Sequence, residues 1–196
     1  RKGITIGSPV ALSIENKDAS IDTLPVVTRP RPGHADLAGV IKYDRNDIRD
    51  ILERASARET AMRVTIGAIC KALLDEFGIR IGSHVVEIGG AADQKTMIKK
   101  AGKCAKIGET LGGICEITAA AVPIGLGSHV HYDRRLDTRI AGAMMSIQAI
   151  KGVEIGLGFA AARLTGSKVH DEIIFDRKNG FSRKTNNAGG LEGGIT

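Results

Sequence analysis

The sequence predicts a mixed α+β protein organised around a glycine-rich loop, and three observations carry that reading. Short stretches alternate apolar and polar residues between glycines and prolines, two longer stretches repeat apolar residues at three- and four-residue spacing, and 25 of the 196 residues are glycine. Four of those glycines, in two pairs, fall in the last eleven residues, Asn186-Asn187-Ala188-Gly189-Gly190-Leu191-Glu192-Gly193-Gly194-Ile195-Thr196. No helix or strand interior tolerates that density, so the segment is a loop whose backbone approaches a ligand closely or adopts positive φ. Asn186, Asn187 and Glu192 set it apart from a plain mobile tail. The length suits one substantial domain over residues 1–196, and the 42% hydrophobic content suits a real core. With 3% aromatics and no Trp, that core must rest on Ile, Val, Leu, Ala and Met.

Taken in order, Ile4-Thr5-Ile6 and Val10-Ala11-Leu12-Ser13-Ile14 alternate around Gly7-Ser8-Pro9, which predicts two short strands or one bent one. A chain that starts inside a strand pattern reads as part of a longer protein. Residues 16–32 are polar and proline-bearing, and the alternating prolines hold Thr28-Arg29-Pro30-Arg31-Pro32 extended. Arg29, Arg31 and His34 therefore project from a stiffened loop, as an anion site requires. Arginines between prolines are also ordinary surface residues; His34, able to exchange a proton near neutral pH, favours function.

A long helix is expected from Asp44 or Asn46 through Phe77, with Gly78 as its stop. Ile48, Ile51, Leu52, Ala55, Met62, Ile66, Ile69 and Leu73 line one stripe, Arg58 lies at its edge and Glu59 inside it. Arg54 sits one turn before Arg58, with Ser56 nearby. An ion pair that fixes packing and a cation pair that binds a ligand both account for this pattern. Val85-Val86-Glu87-Ile88 reads as a strand, the stretch from Lys95 to Lys106 as a helix with five lysines, and Ile114 to Ala121 as a second strand. His129 and His131 would share one side of a strand, half of a metal site without a third ligand. Asp137 is expected to cap a helix running to Ile150, stopped by Gly152. Gly156-Leu157-Gly158-Phe159-Ala160-Ala161 meets a dinucleotide fingerprint formally, but the following helix is cut by Gly166 and no acidic ribose ligand can be placed. Arg183 and Lys184 form a cationic approach to the terminal loop.

The 28 Lys and Arg against 22 Asp and Glu give a net charge of +6, which suits small phosphorylated ligands. No aromatic is interleaved with the lysine run for base stacking, which argues against nucleic acid. Cys70, Cys104 and Cys115 are odd in number and unpaired in spacing, so neither a disulfide framework nor a zinc site is expected, and the default compartment is the reducing cytoplasm. No apolar run approaches a membrane span, and Arg1-Lys2-Gly3-Ile4-Thr5 lacks a signal-peptide core.

Arg-Pro-Gly-His-Ala-Asp at 31–36, Arg-Ala-Ser-Ala-Arg-Glu-Thr at 54–60, Ile-Gln-Ala-Ile-Lys-Gly-Val-Glu-Ile-Gly at 147–156 and Asn-Asn-Ala-Gly-Gly-Leu-Glu-Gly-Gly at 186–194 together resemble the chorismate synthase family. Order and spacing match as well. The resemblance implies a three-layer β-α-β sandwich, with helices between two antiparallel sheets, assembled as a homotetramer. It implies 1,4-anti elimination of phosphate from 5-enolpyruvylshikimate-3-phosphate to give chorismate, requiring reduced FMN without net redox change. By the same resemblance Arg31 and Arg58 would clamp phosphate and carboxylates, and His34 would donate a proton toward the flavin or the substrate. FMN would contact Arg54, Ala55, Ser56, Gln148, Ala149 and Gly194, with Asn186 and Asn187 close by; no metal is implied. Family members are considerably longer, with a second catalytic His before these motifs and an Arg–Asp site after them. Positions that would contact NADP in an accompanying flavin reductase activity lie outside this sequence. Family loops are expected to be missing around 19–22 and 92–94, leaving breaks there. The competing reading is a non-catalytic phosphate- or nucleotide-binding domain derived from this fold.

Overall fold

The computed structural model describes every residue except Arg1, Gly3 and Ala19. The chain forms two compact units, Arg1–Ala68 and Ile69–Thr196.

In the first unit the two strands expected near Ile6 and Val10 do not form, and no strand is present there among the described residues. Alternation says which side chains share a face; a strand also needs a second strand to pair with, and none forms beside it among the described residues. Ser20–Thr23 makes one 3-10 turn, and the proline arm follows without regular secondary structure. No local signal foretold α1, Asp36–Tyr43, which starts inside the Arg-Pro-Gly-His-Ala-Asp motif. Asp44, expected to open a helix, instead closes α1 in the left-handed conformation at φ 50°. The opening role falls to Asp47, whose Oδ1 accepts from the Arg49 N–H at 3.0 Å and the Val27 N–H at 3.1 Å. The proline arm is pinned to α2, Arg49–Arg54, by these bonds together with Ile48 N–H to Val27 O at 2.9 Å and Arg49 Nε to Pro25 O at 2.7 Å. Gly39 of α1 lies against the Ile51 side chain of α2 so closely that a methyl group would overlap it. Ile48 and Ile51 are buried.

The single long helix expected through Phe77 is two helices, α2 and α3, Glu59–Glu76, parted at residues 55–58. No Gly or Pro marks the break. Ser56 Oγ takes the Arg58 N–H at 3.2 Å, a local side-chain bond that competes with the helical ladder. Arg58 and Glu59 therefore do not lie on one continuous stripe.

In the second unit β1, Arg80–Ile88, pairs antiparallel with β2, Gly113–Ala120, with a register irregularity between Val85 and Glu87. Between them α4, Gln94–Lys106, is capped by Asp93, whose side chain accepts from the Thr96 N–H at 2.9 Å. The backbone is continuous through 92–94, so no break falls there; of the other expected break, around 19–22, Ala19 lies outside the described residues and the rest lies in the continuous 3-10 turn Ser20–Thr23. Ile79, Ala91 and Met97 are buried. After α5, Leu136–Met145, and α6, Gly166–Val169, a second antiparallel hairpin pairs β3, Ile173–Asp176, with β4, Gly180–Arg183. Two expectations are corrected here. His129 and His131 are not on a strand, because the chain turns into the 3-10 segment Tyr132–Arg134 and His131 Nδ1 pairs with Asp133 Oδ1 at 2.8 Å. Asp137 lies within the first turn of α5, bound to Arg135, and the helix ends at Met145 rather than Ile150. Residues 146–149 instead form turns.

The expected large core is not closed within this chain. The α3 stripe is in place but exposed, with Ile66, Ile69 and Leu73 all open to solvent, and every residue of β2 is exposed. The exposed area is 15999 Å² at 20.7 kDa, whereas a folded monomer of that mass exposes about 9,000 Å². An apolar stripe or sheet face needs a covering layer, and the described residues do not supply one. No described helix is long and apolar enough to cross a membrane.

Candidate active site

The first cluster grows from the start of α1. Asp36 is fully buried, the largest such side chain described, and its carboxylate gathers the Arg-Pro-Gly-His motif around itself. Oδ2 accepts from the Arg31 backbone N–H at 3.0 Å and from Arg31 Nε at 2.9 Å, and Oδ1 takes Arg31 Nη2 at 3.2 Å. Oδ1 also bonds directly to His34 Nδ1. The Arg31 guanidinium holds the Asp36 carboxyl well below the usual carboxylate range, against the opposing effect of burial. Arg31 thus spends Nε and Nη2 on Asp36, which leaves less of its fork for a phosphate than the sequence suggested. His34 is about a quarter exposed, its ring anchored at one nitrogen.

The second cluster is the α2–α3 junction. Arg54 ends α2 with an exposed side chain, and Ala55 and Ser56 are half-buried in the turn that follows. Arg58 sits beyond them, its Nη1 on Glu53 at 2.8 Å and its Nη2 on Asp18 at 3.1 Å. An anion arriving at Arg58 must compete with two carboxylates.

The remaining predicted residues lie in the second unit. The terminal loop is docked, as a ligand-binding segment needs and a tail does not. Thr196 bonds through its backbone to Leu126 O at 3.0 Å and through Oγ1 to Pro123 O at 2.8 Å. Gly194 is buried at φ 86°, its carbonyl accepting the Leu136 N–H at 2.9 Å and the Ser128 N–H at 3.2 Å. Of the cationic approach expected here, Arg183 pairs with Glu192 of the loop at 2.6 Å, and Lys184 with Glu172 at 3.1 Å. Asp171 organises the Asn186-Asn187 turn: its buried carboxylate takes the Thr185 hydroxyl at 2.5 Å, the Asn187 N–H at 2.7 Å and the Ala188 N–H at 2.9 Å. The Thr185 hydroxyl, followed by the Ala188 N–H, lowers the Asp171 pKa. The loop also closes on residues 155–158, where the Leu157 N–H donates to Asn187 O at 2.8 Å. Of the two glycines that formally spelled a dinucleotide fingerprint, Gly156 packs against the backbone of residues 187–189 and Gly158 against the Glu154 side chain.

Gln148 and Ala149 occupy the turn after α5, Gln148 half-buried and Ala149 exposed at φ 68°. A left-handed alanine costs about 1 kcal/mol relative to a relaxed backbone. Ala149→Gly is therefore expected to raise unfolding stability by about 1 kcal/mol. If the Ala149 methyl touches FMN, the same change weakens flavin affinity, so calorimetry and flavin titration should move in opposite directions.

Asp36 and Asp171 escaped assignment from the sequence. Asp36 stood in a quoted motif two residues from His34, which is a signal; Asp171 carried none, since its partners lie 14 to 17 residues downstream. Both carboxyls have lowered pKa values, so the folded chain binds fewer protons than the unfolded chain. Their contribution is complete at neutral pH and drains away as pH falls below about 4. Acid titration followed by hydrogen exchange should show the 185–188 turn losing protection in this window, and Asp171→Asn should lose that protection already at pH 7.

The chain as a whole is similar to known proteins. The sequence pattern of the chorismate synthase family matches residues 1–196. A protein named Chorismate synthase from Thermoanaerobacter pseudethanolicus is 57% identical over 199 residues, covering 100% of this chain and 57% of its own. One named Chorismate synthase 2 from Bacillus cereus is 46% identical over 239 residues, covering 100% of this chain and 61% of its own. A solved structure described as a crystal structure of chorismate synthase superposes with a TM-score of 0.79 at 49% identity, over 83% of this chain and 59% of that one. The helices and antiparallel sheets are those of this α+β fold. The chain spans about three fifths of the length of these relatives. Matched by the family pattern from its first residue to its last, this chain belongs to the chorismate synthase family.

Proposed function

We propose that the full-length protein is a chorismate synthase of the shikimate pathway. It eliminates phosphate from 5-enolpyruvylshikimate-3-phosphate, with loss of a proton in the 1,4-anti sense, to give chorismate. The observation that carries this reading is the His34 imidazole anchored to a buried carboxylate inside a family motif. Reduced FMN, when bound, supplies electron density that eases departure of the phosphate without net redox change.

The chain's own residues fit such a group. Arg54 and Ser56 offer a cation and a hydroxyl suited to a phosphate, Gln148, Asn186 and Asn187 offer amide donors and acceptors suited to the edge of a flavin, and Ala149 and Gly194 offer backbone for close approach. When the His34 ring is protonated, the transferable proton sits at Nε2, the nitrogen that Asp36 leaves free. Arg58, released from Asp18 or Glu53, steadies charge on the leaving phosphate, and Arg31 keeps Asp36 ionised. The exposed β1–β2 faces and the α3 stripe are the surfaces that the rest of the polypeptide and further copies in a cytoplasmic homotetramer would cover. An anaerobic assay of the full-length protein with reduced FMN and the enolpyruvyl substrate should yield chorismate and phosphate. Substrate binding without turnover would instead identify a non-catalytic phosphate-binding relative.

A further inference from the structure

We infer that Asp36 is a positioning residue for the reaction: it fixes His34 as the Nδ1–H tautomer and so dedicates Nε2 to proton transfer. This rests on the lyase reading for the reaction served, but not for the tautomer itself.

The argument begins with acceptors. An ionised carboxylate has lone pairs and no proton, and a bare imidazole nitrogen facing it would set two acceptors against each other. Arg31 keeps Asp36 ionised through two guanidinium bonds and one backbone bond, at 2.9, 3.2 and 3.0 Å. The proton of the contact must therefore sit on His34 Nδ1. Arg31 Nη2 lies 3.1 Å from that same nitrogen and 3.2 Å from Asp36 Oδ1. It can donate to the carboxylate but not to a nitrogen that already bears hydrogen. With Nδ1 committed, Nε2 is the only ring atom able to gain or lose a proton toward a reactant.

Geometry supports a dedicated arrangement. Asp36 is fully buried while His34 stays partly open, so the carboxylate is the fixed member and the ring the accessible one. Asp36 is also the first residue of α1, a position where a carboxylate is favoured by the helix dipole. Backbone, guanidinium and helix end converge on one anion, and that anion faces one ring nitrogen.

Nitrogen-15 NMR of the full-length holoenzyme labelled at histidine reads the tautomer directly. In the wild type, neutral His34, assigned by its loss in His34→Ala, should show a protonated Nδ1 and an unprotonated Nε2; the opposite pattern overturns the inference with no mutant of Asp36 needed. In Asp36→Asn the new amide can donate to Nδ1, so the ring should switch to the Nε2–H tautomer and kcat should fall ~100-fold or more with KM changed less than about threefold. An unswitched ring or an unchanged kcat in Asp36→Asn overturns it as well. Should the wild type make no chorismate, the lyase reading fails, while the tautomer result still stands for or against Asp36.

Discussion

His34→Ala in the full-length protein should lower kcat for chorismate formation by ~10²–10⁴-fold, the usual worth of a positioned proton donor, with little change in KM. The fold should survive the change. The ring is anchored at a single atom, and Arg31 keeps all its bonds to Asp36 without it, so the start of α1 loses one partner among four. Thermal unfolding should therefore shift by no more than a few degrees, which separates a chemical role from a structural one. Circular dichroism and an anaerobic turnover assay on the same preparation make the comparison. Undiminished turnover would remove His34 from the chemistry.

Gly156→Ala should be the most damaging substitution of a residue that bears no functional group. At φ 60° any side chain is strained, and a methyl group there would overlap the Asn187 carbonyl oxygen and lie 2.6 Å from both the Ala188 carbonyl carbon and the Gly189 nitrogen. These are backbone atoms, which cannot rotate away. The Leu157 to Asn187 bond at 2.8 Å would part, and the Asn186-Asn187 turn would lift from the segment that supports it. We expect a loss of about 3–5 kcal/mol in unfolding free energy, from strain, overlap and a broken backbone bond together. Flavin affinity should fall at least ~10-fold, equivalent to about 1.4 kcal/mol. Gly142→Ala supplies the control: it lies in α5 with nothing within 4 Å of the added methyl, and should stabilise by about 1 kcal/mol through helix propensity alone. Equal effects at the two positions would contradict the packing argument.

The physical origin of each signal explains which elements could be read in advance. The β1, α4 and β2 segments were legible because short apolar runs, a helical lysine run and flanking glycines are local features, and each found its hydrogen bonds: α4 within itself, β1 and β2 with one another. The break between α2 and α3 was not, since Ser56 makes it with a side-chain bond and neither Gly nor Pro announces it. The strands expected near Ile6 and Val10 failed for a different reason: alternation describes one strand, while a sheet needs two. At the candidate site, His34, Arg31, Arg54 and the Asn186-Asn187 loop were singled out because their motifs are contiguous.

Contiguous pattern was thus enough to identify the family, the mixed α+β character and the segments that carry chemistry. It could not say that Arg58 is shared between Glu53 and Asp18, that Arg31 is committed to Asp36, or that Asp171 builds the turn at Asn187. Those facts depend on which donors surround a carboxylate once the chain has folded, and partners up to 40 residues apart leave no mark on local spacing. Burial belongs to the same class. The apolar stripe of α3 was written into the sequence, but whether a stripe is covered depends on the layers around it, and here Ile66, Ile69 and Leu73 await theirs.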